Sequence, residues 1–303
     1  MKFCVDDLID KKLVTAKESP CGKYRLLKYH RKVFYDNLWH VDHRITKCRG
    51  IVVDQENNVV LYPFDKIFNY GENDTGIFLN HREVYRVVEK LNGFLAQAAV
   101  VDGEVIVTSS GSFDSEHAAM ARDMIDQALT WQRAKLQSGF TYMFEICHPD
   151  DPHIVEEVPG AYLIGVREME LMTLKGEHFV DFAAREMGFK RPAHFLLTLE
   201  DAVRESKIVK HEGFILRELS RDLPVLKLKS KHYLNKKALM RMGKNSAAHM
   251  FSNPQHFKKE RLEEEFYNLF DWIIRFYDQE SWTSLTEQDR RAIIEEYFRE
   301  TAL

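Results

Sequence analysis

Short apolar runs bounded by turn residues dominate roughly the first 230 positions, and longer stretches with helical spacing follow them. Gly50-Ile51-Val52-Val53-Asp54, a polar turn over 55–58, and Val59-Val60-Leu61-Tyr62 predict a hairpin. Phe94 to Val101, the dipeptide Asp102-Gly103 and Glu104 to Thr108 predict a second, with the strongest short-range turn signal in the chain. Further strands are expected over Thr141 to Ile146, Ala161 to Arg167, Gly213 to Arg217 and Val225 to Lys229. Ser115 to Leu136 reads as a helix, with Met120, Met124 and Leu129 at roughly helical intervals. Arg82 to Val88, Asp181 to Met187 and Leu199 to Glu205 read as shorter helical stretches. Beyond Leu234 the character changes. Leu262, Phe266, Leu269, Phe270, Ile273 and Tyr277 recur every three or four residues, the mark of an amphipathic helix. Thr286 and Asp289 form a capping-box pattern ahead of a last helix that carries Ile293, Ile294 and Tyr297. The pattern predicts an α+β protein: an antiparallel-sheet domain over 1–234 and a small all-α domain over 235–303.

Composition narrows the class. In 303 residues, 45% are hydrophobic and 30% charged, with 14 Gly and 8 Pro, which supports a sizeable core and excludes a disordered or collagen-like chain. No apolar run is long enough to span a bilayer, so no membrane partner is expected. Acids interrupt MKFCVDDLIDKK before an apolar segment develops, so no cleaved signal peptide is expected either. Cys4, Cys21, Cys48 and Cys147 lack CxxC spacing, which predicts a reducing, cytoplasmic setting and no zinc knuckle. The net charge of −4 counts against a nucleic-acid partner until it is sorted by position. Ser206 to Lys244 holds eleven Lys or Arg against three acids, whereas Glu260 to Glu300 holds twelve acids against five Arg. A basic run is either a solvated face or an electrostatic footprint for phosphates.

Individual residues offer the chemistry that chooses between them. In Glu89-Lys90-Leu91-Asn92-Gly93, the glycine lets a backbone come close to a ligand beside a lysine. A lysine held among other cations has a depressed pKa and becomes a nucleophile at neutral pH, although a surface lysine is the plain alternative. In Val225-Leu226-Lys227-Leu228-Lys229, strand alternation puts Lys227 and Lys229 on one face and both leucines in the core. Two ammonium groups on one face suit a phosphate on which charge develops, or else are simply solvated. Glu145, within an apolar strand, and Glu212, just before Gly213-Phe214, are two acids able to bind a metal or a ribose hydroxyl, or to point outward.

Taken in order, Lys-x-Asn-Gly, an aromatic-Glu strand, Glu-Gly-aromatic-aliphatic and Lys-aliphatic-Lys resemble the covalent nucleotidyltransferase superfamily of ATP-dependent ligases and capping enzymes. Cys48-Arg49-Gly50-Ile51-Val52-Val53-Asp54 and Tyr62-Pro63-Phe64-Asp65-Lys66-Ile67-Phe68-Asn69-Tyr70-Gly71-Glu72 resemble the segment before the nucleophile in RNA ligases of the T-even phage RNA ligase 1 type. Ser109-Ser110-Gly111-Ser112-Phe113 and Tyr162-Leu163-Ile164-Gly165-Val166-Arg167-Glu168 fit the same pattern. The resemblance covers about Thr46 to Tyr233 and implies an antiparallel nucleotidyltransferase (ATP-grasp-like ligase) fold. It implies that Lys90 attacks the α-phosphorus of ATP to form lysyl-AMP, while Lys227 and Lys229 neutralise the α-phosphate. Arg49 and Lys66 would hold the β- and γ-phosphates, and Phe68, Glu89, Asn92, Gly93 and Gly213 would complete the ATP site. Glu145 and Glu212 would serve the ribose or a metal, Mg²⁺ or Mn²⁺. The implied partner is RNA with 5′-phosphate and 3′-hydroxyl ends, joined in RNA repair. DNA end joining, GTP-dependent capping and a weakened RNA-binding paralogue are the other readings.

Two positions depart from the pattern. Asn92 stands where many relatives carry Asp, and Ser110 stands where they carry Lys or Arg. The first loses a charge but keeps a hydrogen-bonding carbonyl. The second removes a cation from the loop that would face phosphate.

Overall fold

A computed structural model of the chain describes residues 1–262 and 266–301. Among these residues the strands form three sheets in which every neighbouring pair is antiparallel. The first sheet has the order β1 (Val14–Glu18), β2 (Tyr24–Tyr29), β3 (Arg49–Asp54), β4 (Val59–Leu61). The second has the order β10 (Thr173–Leu174), β9 (Gly160–Glu168), β8 (Phe140–Cys147), β6 (Phe94–Val101), β7 (Glu104–Ser109). The third has the order β11 (His194–Thr198), β5 (Val84–Lys90), β12 (Gly213–Arg217), β13 (Pro224–Lys229).

Both expected hairpins form. At the β6–β7 turn, Asp102 and Gly103 have φ of 52° and 82°, the left-handed pair a two-residue hairpin turn requires. The helices of this part are α1 (Asp6–Asp10), α2 (Arg31–Tyr35), α3 (Glu116–Gln132), α4 (Glu177–Met187) and α5 (Leu199–Glu205). The Ser115 hydroxyl caps α3 by accepting from the Ala118 N–H, and the helix packs Ala121, Ile125 and Leu129 against Ala96, Ala98 and Phe144 of the second sheet.

The remaining helices are α6 (Lys231–Met240), α7 (Lys244–Ser252), α8 (Pro254–Arg261), α9 (Tyr267–Phe276), α10 (Gln279–Ser284) and α11 (Glu287–Thr301). They share one apolar core containing Leu239, Met250, Phe257, Phe270, Ile273, Trp282 and Ile294. Phe266, Leu269, Phe270 and Ile273 are all buried, as their spacing predicts. Leu262 instead follows α8, and 263–265 of that stretch lie outside the described residues. The capping box is present: Thr286 N–H donates to Asp289 Oδ2 at 3.0 Å and Asp289 N–H to Thr286 Oγ1 at 3.1 Å. Helix α6 runs across the expected division at 234/235.

One element differs in kind from its expected form. The stretch before Lys90 is strand β5, not a helix, and it lies between β11 and β12. Tyr85 and Val87 are buried on one face, and Val88, also buried, adds to the β-branched content that suits a strand with neighbours on both sides. Strands β1, β2, β10 and β11 are additions that the apolar pattern did not indicate. No helix among the described residues is long and apolar enough to cross a membrane.

Candidate active site

The end of β5 delivers Lys90 into a cleft between the second and third sheets, lined also by Arg49, Phe64, Glu89, Glu145, Ile164 and Lys227. Lys90 pairs in register with Gly213, which sets Glu212 beside it. Lys90 Nζ lies 2.9 Å from Glu212 Oε2 and 3.9 Å from Glu145 Oε1. Burial draws the Lys90 ammonium down, but Glu145 and Glu212 draw it further up, so its pKa stands above the ordinary lysine value. The expectation of a lysine depressed by neighbouring cations is therefore corrected at this position. The two carboxylates that flank it reverse the sign.

The depressed lysine is Lys227. Burial, then Lys66, Arg49 and Lys90, push its pKa down to about 7. Strand β13 alternates as expected, with Leu226 and Leu228 buried and Lys227 and Lys229 on the other face. The two lysines nevertheless have different surroundings. Lys229 Nζ is 3.8 Å from Glu212 Oε1 and stands over the Tyr233 ring at 5.1 Å. Lys227 has no carboxylate partner among the described residues.

Glycines allow this assembly to close. A Cβ on Gly213, at φ 133°, would lie 2.0 Å from the Leu228 carbonyl oxygen, and one on Gly93 would lie 2.2 Å from that of Ile146. The Gly93 N–H donates to Glu145 Oε1 at 3.2 Å and so fixes that carboxylate. Asn92 is buried, and its amide is engaged at both its nitrogen and its oxygen. Its Nδ2 donates to Glu212 Oε2 at 2.7 Å, while its Oδ1 accepts from the Val155 N–H at 2.8 Å. An aspartate could make only the second of these bonds. Asn92 thus positions Glu212, and Glu212 in turn holds Lys90.

The carboxylates divide by environment. Burial raises Glu145, assisted by Glu212 and opposed by Lys90. Glu212 is raised by burial but lowered further by Lys90, Lys229 and Asn92, and stands below the usual carboxylate range. Glu157, whose carboxylate accepts the Asn92 N–H at 2.9 Å, is pushed up to about 6 by burial and by Glu89, Glu145 and Glu212. Glu89 faces His211 at 4.0 Å. Glu157 carries no motif of its own, and only the fold brings it here.

On the other wall, Arg49 opens β3 and has no ion-pair partner among the described residues. Lys66 contacts Glu72 at 3.4 Å, and its ammonium stands 4.1 Å from the Phe68 ring and 5.2 Å from Trp39. The Phe68 ring therefore stands against the Lys66 ammonium. The Phe68 carbonyl accepts the Lys227 N–H at 2.9 Å and pins the 68–70 segment along β13. Cys48 and Cys147 are buried and pushed up to about 12 by that burial, so neither supplies a thiolate at neutral pH.

The cleft thus places a lysine between two carboxylates, facing Arg49 and Lys227, which have no carboxylate partner among the described residues, on an antiparallel scaffold. A family described as RNA ligase, of the T4 RNA ligase 1 type, matches residues 47–267, and the chain belongs to that family. It is 26% identical over 189 residues to an RNA ligase of Rhodothermus phage RM378, covering 49% of this chain and 42% of that protein. It is 32% identical over 148 residues to RNA ligase 1 of bacteriophage TS2126, covering 44% of this chain and 38% of that one. The chain thus spans less than half the length of these curated relatives. In fold it is similar to an archaeal ATP-dependent RNA ligase, with a TM-score of 0.56 at 16% identity, covering 96% of this chain and 74% of that one. A putative ATP-dependent DNA ligase from Aquifex aeolicus gives 0.54 at 14%, covering 97% and 77%.

Proposed function

We propose that this protein is an ATP-dependent RNA ligase that joins 5′-phosphate to 3′-hydroxyl ends through a lysyl-AMP intermediate on Lys90. The observation that carries the reading is the Lys90 ammonium held between Glu145 and Glu212, opposite Arg49 and Lys227, which have no carboxylate partner among the described residues.

Lys90 must lose its proton before it attacks. Glu145, held above the usual carboxylate range, is the better matched acceptor, whereas Glu212 orients the ammonium. The Nζ–Pα bond forms as the bond from Pα to the bridging oxygen breaks, and pyrophosphate leaves. Lys227 and Lys229 neutralise the α-phosphate, while Arg49 and Lys66 hold the β- and γ-phosphates in line. An RNA 5′-phosphate oxygen then takes the adenylyl group from Lys90. Attack by a 3′-hydroxyl forms the phosphodiester and releases AMP.

A divalent cation fits the donor set. Glu145 and Glu212 offer hard oxygen ligands, and two carboxylates face the single ammonium of Lys90. Mg²⁺ or Mn²⁺ held there would supply further charge neutralisation on the phosphates. The helical part over 235–303 is assigned to RNA selection, and the setting to the cytoplasm, where RNA breaks are repaired.

Intact mass after exposure to ATP and Mg²⁺ tests the reading. The expected result is a gain of one AMP, absent in Lys90→Ala, with sealing of 5′-phosphorylated RNA by the wild type. An adduct from GTP alone would make it a capping enzyme, and preferential sealing of DNA a DNA ligase. RNA binding with no adduct would leave an inactive paralogue.

A further inference from the structure

Strand β2 carries, opposite the cleft-lining Arg49, a lysine that none of the roles above uses. Lys28 pairs in register with Arg49, just past an irregularity in the β2–β3 ladder. Its ammonium reaches over the 109–112 turn, where a Cβ on Gly111 would lie 2.8 Å from Lys28 Nζ. A side chain at 111 would occupy the space the ammonium uses.

The charges around Lys28 do not balance. Asp114, just past that turn, is taken by Lys17 of β1 at 2.5 Å, with Ser112 Oγ also bonded to Lys17 at 2.7 Å. Lys28 itself has no carboxylate partner among the described residues. Burial and Arg49 both hold its pKa below the ordinary lysine value. Two cations at adjacent register positions, half withdrawn from water and without an anion, cost free energy that a protein normally offsets by pairing them. Several negative oxygens on one flexible chain would do so for Lys28 and Arg49 together, as the terminal phosphates of a nucleoside triphosphate can.

We propose that Lys28 is a ligand of the β- and γ-phosphates of ATP, acting with Arg49 from the opposite side of the Gly111 turn. The proposal rests on the adenylylating reading of the cleft. It also accounts for the uncharged Ser110: the cation that this loop lacks arrives from a strand more than eighty positions earlier in the chain.

The test measures the rate of lysyl-AMP formation against ATP concentration in the full chain. Lys28→Met keeps the aliphatic stem and removes the charge. It is expected to raise the ATP concentration for half-maximal rate by roughly tenfold or more, with the maximal rate within about threefold of wild type, as for loss of one charge-assisted contact. Lys28→Arg is expected to recover most of the loss. Sealing of RNA that already carries a 5′-adenylate needs no triphosphate and is expected to be unchanged in Lys28→Met. An unchanged ATP dependence would overturn the proposal, and so would an equal loss in sealing pre-adenylated RNA, which would assign Lys28 to RNA or to folding. Absence of any adduct in the wild type would instead sink the ligase reading beneath it.

Discussion

Arg217 and Lys227 lie on neighbouring strands and both line the same cleft, yet their surroundings are opposite. Arg217 is enclosed by acids: Glu177 at 2.5 Å and Asp222 at 3.4 Å, with Arg86 on Asp222 at 3.1 Å and Arg191 also paired to Glu177. Lys227, Arg49 and Lys28 have no such partners among the described residues. The helical part follows the first pattern, since its buried Lys236 and Arg291 both reach Glu295, at 2.8 and 2.9 Å. Arg217, Lys236 and Arg291 are thus buried cations paired within the chain. Cleft cations are of both kinds, since Arg217 and Lys90 are paired with acids while Lys227 and Arg49 have no carboxylate partner among the described residues. Arg217 is buried and Lys227 only partly so, yet on adjacent strands one is matched by internal acids and the other is not.

Removing an acid from the paired set should produce the largest change in stability. Glu177→Gln leaves Arg217 and Arg191 short of a buried counter-charge and is expected to lower the unfolding free energy by about 3–5 kcal/mol, read by denaturant titration. A loss below about 1 kcal/mol would show that the network is not what joins α4 to β12. At the junction of the two sets, Asn92→Asp exchanges a donor for a second carboxylate beside Glu212. The expected cost is about 1–3 kcal/mol near neutral pH, because a buried carboxylate then lacks a proton to donate. Like Glu157, the new acid would titrate high in the folded state. Its neutral form is retained at low pH and lost as pH rises through its raised folded value, so the cost of the substitution grows with pH. Equal stability of the two proteins at pH 5 and pH 8 would contradict this placement of Asn92.

Charge removal from the unpaired set should have the smallest effect, and the opposite sign. Lys227 has a folded pKa of about 7 against an ordinary value of 10.5. Between these values the unfolded chain binds a proton that the folded one does not, so stability climbs with pH across that interval. Below about pH 7 the cost of the buried charge is present in full. Lys227→Met is therefore expected to gain about 1–2 kcal/mol at pH 6 and to flatten the rise toward pH 10, as thermal unfolding at a series of pH values would show. A destabilised variant at pH 6 would mean that Lys227 has an internal partner after all.

Much of the site was legible as local pattern. Lys90, Gly93, Glu145, Glu212, Gly213, Lys227 and Lys229 lie on short segments whose alternation and turn residues can be read directly, and those segments do meet. The contact of the Phe68 ring with the Lys66 ammonium was not legible in the sequence. The helical reading of the stretch before Lys90 failed because seven residues with apolar side chains at mixed intervals fit either period. Pairing with β11 and β12 on both sides decided for strand.

The sequence by itself determined the alternation that presents Lys227 and Lys229 together, the hairpin at Asp102-Gly103, the capped last helix and the small residues where backbones close on each other. These depend on neighbours a few bonds away. Only the tertiary structure decided the sign of the Lys90 shift, the difference between Lys227 and Lys229, and the arrival of Lys28 at the Gly111 turn. Each depends on which charges stand within a few ångströms, and in a folded chain those charges come from distant strands. Electrostatic interaction falls with distance in space, not with separation in sequence.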